Sequence, residues 1–188
     1  VRLLALAASF RPDSLNKQAV RRAAEDARAA GAEVTLLDFA QCDAPLYQGE
    51  ATPALPESIR RLSDALHAHD GWLLASPEYN WSIPAALKNV IDWLSLDPSA
   101  PLRHQSALLM CASPSVRGGI VGLHQLSVPL NHLGVHVYPQ MVAIGSAADS
   151  LASGARHDHK DVQFLRHCVE MFVTDVAQRR AQRLSAEA

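Results

Sequence analysis

The sequence predicts an α/β fold in which five strands and five helices alternate to build a doubly wound parallel sheet. Residues 2–8, 71–75 and 106–111 are short, nearly unbroken apolar runs, which is typical of strands buried on both faces of a parallel sheet. Between these runs, apolar residues recur at helical spacing. Since crossovers between parallel strands are right-handed, we expect the connecting helices to cover both faces of the sheet.

Each remaining element follows from its local pattern. Residues 15–30 place small apolar side chains on one stripe, and Gly31 ends that helix. The helix at 120–133 contains Pro129, which removes one backbone hydrogen bond and should kink or shorten it. Residues 39–56 are rich in Pro and Ala and indicate a long functional or interface loop. The other predicted elements are strand 32–38, helix 58–69, a helix starting near Pro84, a fifth strand region at 135–138 and 141–144, and a final helix from Val162 to Val176 with a fraying tail at 178–188.

Length and composition bound the class of protein. With 188 residues, 48% of them hydrophobic, the chain suits a single domain over residues 1–188 with a substantial core. The 17 basic and 19 acidic residues give a net charge of −2, so no basic excess suggests nucleic acid or an anionic membrane as a partner. A small-molecule substrate fits this composition better.

The spacing of cysteine and histidine argues against a disulfide framework or a metal site. Cys42, Cys111 and Cys168 are far apart and form no Cys-x-x-Cys pair, which indicates buried free thiols in a reducing compartment. His157 and His159 have no third ligand in a metal-binding pattern. No apolar run approaches the roughly 20 residues that span a bilayer, and no signal peptide is evident, so the sequence predicts a cytoplasmic protein.

The most informative stretch is the loop after the central strand. Pro77 to Ser82 combine a proline, a carboxylate, a tyrosine, an amide, an indole and a hydroxyl, and Ser82 and Pro84 then suit the start of a helix. Open α/β sheets bind ligands at the carboxyl ends of their central strands. A turn bonded only to water is the simpler interpretation, but Tyr79 and Trp81 offer surfaces that could cover a flat heteroaromatic ring.

Residues 9–16 form a loop with hydroxyls and an arginine at the amino terminus of the first helix. The helix start offers unpaired N–H groups, Ser9 and Ser14 can donate hydroxyls, and Arg11 can bond two phosphate oxygens. The pattern predicts an anion site. The alternative is that Ser14 only caps the helix and Arg11 is a solvated charge. No Walker A or Gly-x-Gly-x-x-Gly pattern is present, so a monophosphate is the expected ligand.

A third loop, residues 113–119, carries hydroxyls and glycines in the same strand-to-helix position. Alone, it favours a simple connection in which the glycines permit the turn. Together with the other two loops at one sheet edge, it predicts a pocket.

The central loop and the helix after it resemble the signature of the NAD(P)H-dependent FMN reductase family without a gap. The matching pattern is Pro77-Glu78-Tyr79-Asn80-x-Ser82-x-Pro84-x-x-x-Lys88-Asn89-x-Ile91-Asp92-Trp93. The resemblance implies a flavodoxin-like sheet of order 2-1-3-4-5, FMN as cofactor, NADPH or NADH as co-substrate, and quinones, azo dyes or chromate as small electron acceptors. It also implies a homodimer or homotetramer, for which Tyr47, Trp81 and Trp93 are large residues that a partner could cover.

The resemblance also implies which residues form the site. The family's first loop reads Gly-Ser-x-Arg-x-x-Ser-x-Asn and holds the phosphate; here Ala8 replaces the glycine. The central loop would line the isoalloxazine ring, and the third loop, where Ser115 replaces a frequent glycine, would close one side. The implied cofactor-binding residues are Ser9, Arg11, Ser14, Leu15, Asn16, Pro77, Glu78, Tyr79, Asn80, Trp81, Ser82, Ser113, Arg117 and Gly118.

In the family the flavin carries the chemistry, so no side chain is expected to act as nucleophile or general base. NAD(P)H would reduce the flavin and leave before the acceptor enters the same pocket, in a ping-pong mechanism. Two alternatives remain open. A one-electron carrier like flavodoxin would be strongly acidic, unlike this chain with its 17 basic and 19 acidic residues. A flavin-binding sensor without turnover would be excluded by rapid NAD(P)H oxidation with a quinone.

Overall fold

The architecture is taken from a computed structural model, which describes residues 1–49, 54–151 and 160–187. Its strands are β1 (Arg2–Ala7), β2 (Glu33–Asp38), β3 (Gly71–Ala75), β4 (Ser106–Ala112), β5 (His136–Val137) and β6 (Val142–Ile144). Its α-helices are α1 (Leu15–Ala29), α2 (Glu57–His67), α3 (Ala85–Ser95), α4 (Ile120–His132), α5 (Ala147–Ser150) and α6 (Lys160–Glu187). Phe39–Cys42 form a 3-10 helix at the start of the predicted long loop. Residues 50–53 of that loop, and His157 and His159, lie outside the described residues.

The strands form a parallel sheet in the order β2-β1-β3-β4-β5, which confirms the predicted order 2-1-3-4-5. Leu6 of β1 pairs with Leu74 of β3, which in turn pairs with Leu109 of β4. Two short strands share the fifth position, because β5 pairs with the start of β4 and β6 with its end. Pro139 lies between them and has no N–H to donate to the ladder.

Helices cover both faces of the sheet, as predicted. Successive side chains of a strand point to opposite faces, so Leu3 and Ala5 enter one core while Leu4 and Leu6 enter the other. Helices α1 and α6 pack on the first of these faces. Helices α2, α3 and α4 pack on the second.

The start of α3 differs from the prediction. Ser82 exchanges two backbone hydrogen bonds with Tyr79 and so belongs to a tight turn before the helix. Pro84 takes the N-cap position itself, and no side chain caps the helix there. The prediction that Ser82 caps α3 is therefore wrong.

Helix α4 runs from Ile120 to His132, close to the predicted residues 120–133, and it continues through Pro129. The carbonyl of Pro129 still accepts from Leu133. Helix α6 is longer than predicted and extends past Val176 to Glu187. An ion pair between Arg180 and Asp70 joins its later turns to the residue before β3. Although α6 has 28 residues, neither it nor any other described helix is apolar enough over a sufficient length to cross a bilayer.

Candidate functional site

Three loops meet at the carboxyl edge of the sheet, because β1, β3 and β4 are neighbours. We call residues 8–14 the first loop, residues 76–84 the central loop and residues 113–119 the third loop. They enclose a cleft of about 220 Å³. The cleft is lined by Ser9, Arg11, Asp13, Ser14, Leu15, Asn16, Pro77, Glu78, Tyr79, Ala112, Ser113 and Pro114.

Larger clefts occur elsewhere on the described surface. Three of them, of about 410, 420 and 480 Å³, surround His104 at the opposite edge of the sheet. Their described lining includes Ser95 at the end of α3 and Ser106 at the start of β4, so they lie beside ends of helices and beginnings of strands. We assign the site to the smaller cleft because the hydroxyls, the arginine and the helix terminus converge there.

The first loop delivers a free hydroxyl to the start of α1. Ser14 occupies the N-cap position with extended backbone angles, yet its side chain makes no hydrogen bond to the helix. Ser14 is 7% exposed and lines the cleft. The first turn of α1 contains no acidic side chain, so the partial positive charge of the helix start is not neutralised within the helix. Ser14 therefore occupies the N-cap position, as the alternative interpretation predicted, but its hydroxyl does not cap the helix.

Arg11 is already paired in this structure. Its Nε and Nη2 donate to the two carboxylate oxygens of Asp13 at 3.2 and 3.0 Å. Both side chains are exposed, at 70% and 74%. The hydrogen bonds from Arg11 lower the pKa of the Asp13 carboxyl, and the same contact raises the pKa of Arg11. An anion in the cleft would have to share the guanidinium with Asp13 or displace it.

Asn16 joins two elements that are far apart in the sequence. Its side-chain nitrogen donates to the carbonyl of Ala112, and its side-chain oxygen accepts from the Ala112 N–H, both at 3.0 Å. Asn16 and Ala112 are buried. Because one side-chain N–H and the side-chain oxygen of Asn16 both bond to Ala112, Asn16 fixes the start of α1 against the end of β4.

The central loop contains a two-residue turn in an uncommon conformation. Tyr79 and Ser82 each donate a backbone hydrogen bond to the other, at 2.9 and 3.0 Å. Between them, Asn80 and Trp81 have φ angles of 50° and 64°. Positive φ at both central positions defines a type I′ turn, and it is strained for a residue as bulky as tryptophan. The two hydrogen bonds between Tyr79 and Ser82 hold this turn closed, with Trp81 in it.

Glu78 lines the cleft, and its side chain reaches helix α4. Its Oε2 accepts from the backbone N–H of Gly122, in the first turn of that helix, at 2.6 Å. A Cβ on Gly122 would lie 3.0 Å from the Cβ of Glu78, and a Cβ on Gly119 would overlap the Sγ of Cys111. The two glycines therefore allow the central loop to pack directly on α4.

The third loop is held by the end of the sheet. Ser113 donates a backbone hydrogen bond to Ile144, and a Cβ on Gly118 would come within 2.6 Å of the carbonyl carbon of Ala143. Gly118 also has a φ of 63°, which glycine adopts without strain. Further along the loop, the guanidinium of Arg117 lies over the Trp81 ring, 4.9 Å from its centroid. The central and third loops thus touch beyond the cleft.

The structure gathers most of the predicted site residues. Those that line the cleft are Ser9, Arg11, Ser14, Leu15, Asn16, Pro77, Glu78, Tyr79 and Ser113. Those in the loops but outside the lining are Asn80, Trp81, Ser82, Arg117 and Gly118. The sequence interpretation missed the lining residues Asp13, Ala112 and Pro114. The charge of Asp13, two residues from Arg11, was an available signal, whereas Ala112 and Pro114 contribute through their backbone position.

The aromatic residues expected at a partner surface behave differently from one another. Trp93 is 5% exposed, its Nε1 donates to Pro45 at 2.7 Å, and its ring packs against Tyr47. The prediction that Trp93 is available to a partner is wrong, because the Pro45 segment covers it. Trp81, at 56% exposed, remains available.

Titratable groups give no sign of a metal centre in the described ranges. No group of three or more potential metal-ligating side chains occurs among residues 1–49, 54–151 and 160–187. The three cysteines are free and buried. Burial raises the pKa of Cys42 and of Cys111 to about 12 and that of Cys168 to about 11, so all three thiols are protonated at neutral pH.

Comparison with known proteins links this cleft to a family. The sequence model of a family described as NADPH-dependent FMN reductase matches residues 1–149. The matched range contains all three loops and both residues of the Asn16–Ala112 contact.

Individual proteins agree with the family match. A quinone reductase from Escherichia coli (strain K12) is 34% identical over 122 residues, which cover 63% of this chain and 63% of that protein. An NAD(P)H-dependent FMN reductase from Pseudomonas aeruginosa is 30% identical over 158 residues, covering 83% of this chain and 84% of the relative. Among solved structures, FerB, a flavoenzyme NAD(P)H:(acceptor) oxidoreductase from Paracoccus denitrificans, has a TM-score of 0.79 at 27% identity and covers 95% of this chain and 98% of its own.

Proposed function

Since the chain belongs to the NADPH-dependent FMN reductase family, we propose that it binds FMN and uses NADPH or NADH to reduce small electron acceptors, among them quinones and azo compounds. The observation that carries the proposal is the Ser14 hydroxyl, which lies in the cleft at the start of α1 without a bond to the helix. The E. coli relative, a quinone reductase, supports the acceptor class.

The first loop fits the monophosphate of FMN. The start of α1 supplies open N–H groups, and Ser9, Ser14 and Arg11 line the same end of the cleft. Asn16 belongs to the site as the residue that fixes this end against β4.

The central and third loops fit the flavin ring. Pro77, Tyr79 and Ser113 line the other side of the cleft, and about half of the Tyr79 side chain is exposed. An exposed phenol ring beside a rigid proline offers a flat surface for a heteroaromatic ring. Leu15 adds an apolar contact at the base of the cleft.

When bound, FMN would supply the redox chemistry, accepting a hydride from NADPH or NADH and passing electrons to the acceptor. The residues of the chain bind and orient it. The hydrogen bonds between Glu78 and Gly122 and between Asn16 and Ala112 hold the three loops in position relative to one another. The proposal assigns no side chain as nucleophile or general base.

An FMN titration followed by a steady-state assay tests the proposal. We expect FMN to bind to the apoprotein, and NADPH or NADH to be oxidised rapidly when a quinone is added. Double-reciprocal plots at several quinone concentrations should be parallel, which is the ping-pong pattern. Absence of FMN binding would refute the proposal. FMN binding without NAD(P)H oxidation would instead favour an electron carrier or a sensor.

We propose that the protein forms a homodimer or homotetramer through the groove between α3 and α4. The groove has a volume of about 570 Å³ and begins at Ser82 of the central loop. Val128, with 66% of its surface exposed, stands in it beside Ile83 and Pro129. Light scattering should give a dimer or tetramer mass for the wild type, and Val128→Glu should lower that mass. A monomeric wild type at micromolar concentration would contradict the proposal.

We infer a cytoplasmic location from the three cysteines. Cys42, Cys111 and Cys168 are buried and free, which fits a reducing compartment. Fractionation of cells that produce the protein would test this inference, and recovery in a secreted or periplasmic fraction would contradict it.

A further inference from the structure

Trp81 presents an open aromatic face at the outer end of the central loop. Its position is fixed by the type I′ turn, in which it holds a φ of 64°. Strained backbone of this kind persists only where the surroundings hold it, and it is concentrated at ligand sites. More than half of the side chain is exposed, so the surrounding structure does not use the indole as a core residue.

Arg117 covers part of that face from the third loop. Its guanidinium carbon lies 4.9 Å from the centroid of the Trp81 ring. Within the part of the chain that the structure describes, no carboxylate pairs with this guanidinium, whereas Arg11 is paired with Asp13. A guanidinium held over the face of an aromatic ring keeps its N–H groups free to donate to a carboxylate, sulfonate or phosphate.

The geometry points to Arg117 as a specificity-determining residue that binds an anionic group on the substrate that enters the cleft. This inference rests on the proposed function. FMN has its own phosphate position at the start of α1, so the anion on Arg117 belongs to a second molecule. Two sources share the required chemistry: the 2′-phosphate of NADPH, and an acidic substituent on the electron acceptor.

The sequence position of Arg117 agrees with a role in substrate choice. The third loop meets β6 through Gly118 and Ser113, which lie one and four residues away. Within the described residues, Arg117 makes one hydrogen bond, from its backbone N–H to the Ser115 hydroxyl at 3.3 Å. Its side chain contacts the Trp81 ring but forms no ion pair in the described part of the chain, so its charge is available to a ligand.

Kinetics with matched substrate pairs test the inference. Arg117→Gln removes the charge, and Arg117→Lys keeps a charge without the planar fork. Arg103→Gln is the control, since Arg103 is an exposed arginine at the opposite edge of the sheet. The pairs are NADPH with NADH, and 1,4-naphthoquinone-2-sulfonate with 1,4-naphthoquinone.

For an exposed site, we expect Arg117→Gln to lower the ratio of kcat/KM for the anionic member to kcat/KM for the neutral member of one pair by roughly three- to tenfold, mainly through KM. Arg117→Lys should lie between Gln and wild type, and the effect should shrink at high salt. If Arg117→Gln loses the preference between NADPH and NADH, the bound anion is the 2′-phosphate of NADPH. If it loses the preference between the sulfonated and the neutral quinone, the anion belongs to the acceptor. Unchanged selectivity in both pairs, or an equal change in Arg103→Gln, would overturn the inference.

A binding measurement separates this inference from the proposed function. Quenching of tryptophan fluorescence by NADP⁺ against NAD⁺, and by the sulfonate against the neutral quinone, reports affinity without turnover. If the wild type shows no reductase activity, the proposed function fails while the titrations still decide the role of Arg117. Equal affinities of wild type and Arg117→Gln for all four ligands would refute that role.

Discussion

The Glu78 carboxylate lies 2.6 Å from the backbone nitrogen of Gly122, so a residue of the central loop caps the first turn of helix α4. The stem of Glu78 packs against Gly122, where a Cβ would come within 3.0 Å of it. The contact places the Glu78 carboxylate at the positive end of a helix and anchors the central loop beside the cleft that Glu78 lines. Glu78 therefore supports the site by positioning the loop.

Replacing Glu78 should reveal this supporting role. Glu78→Ala removes a charged acceptor from a helix N-terminus and should lower the free energy of unfolding by about 1–3 kcal/mol. Glu78→Gln retains an acceptor oxygen and should recover much of the loss. Urea denaturation of the apoprotein measures both, with Glu57→Ala as the control because Glu57 forms only exposed ion pairs. Wild-type stability combined with lost FMN binding in Glu78→Ala would mean that Glu78 contacts the ligand directly.

Replacing Arg11 and replacing Asp13 should change the affinity for FMN in opposite directions. Arg11→Ala removes the guanidinium proposed to hold the phosphate and should weaken FMN by about tenfold, while riboflavin, which lacks the phosphate, should hardly change. Asp13→Asn removes a negative charge that competes for Arg11 and should tighten FMN by roughly two- to fivefold, since the pair is exposed. Fluorescence titrations of both flavins measure this. Equal losses for FMN and riboflavin in Arg11→Ala would show that Arg11 supports the fold and not the phosphate.

Asn16 should be important for stability even without a ligand. Asn16→Ala leaves the buried N–H and carbonyl of Ala112 without partners and should cost about 2–5 kcal/mol. Asn16→Asp retains an acceptor for the N–H but sets a carboxylate against the carbonyl, so it should not rescue the loss. The control is Asn131→Ala on the exposed surface of α4, expected within about 0.5 kcal/mol of wild type. A stable apo Asn16→Ala protein would contradict the assignment.

The buried thiols should make the fold sensitive to alkaline pH. Burial raises the pKa of Cys42 to about 12 from an ordinary value of 9.0. The unfolded chain releases this proton first, so the stability from the protonated thiol is complete below about pH 8.5 and falls as pH rises from about 9 toward 12. Urea midpoints between about pH 8 and 10.5 should decline, and Cys42→Ala should flatten the decline. Identical slopes for the two proteins would refute this explanation.

Residues that act through neighbours in the chain were predictable, and those that act across the fold were not. The strand order and the two covered faces follow from short apolar runs, and the cleft follows from loops at adjacent strand ends. The amide of Asn16 suggested a ligand contact, but its partner, Ala112, lies 96 positions away and carries no side-chain signal. Glu78 likewise meets Gly122 only because α4 starts beside β3. The prediction that Ser82 caps α3 was wrong for a local reason. Ser82 closes the turn at Asn80 and Trp81, and because this turn contains no glycine, the sequence did not indicate it.

The pairing of β6 with the end of β4 determines at what point during synthesis of the chain the third loop can fold. The third loop rests on Ala143 and Ile144, and β4 meets β6 through Met110 and Val142. A nascent chain that has released only the first two loops from the ribosome lacks the backbone on which the third loop folds. Cofactor capture during translation should therefore begin only after residues 142–145 have emerged, well after the residues proposed to contact the cofactor have been made.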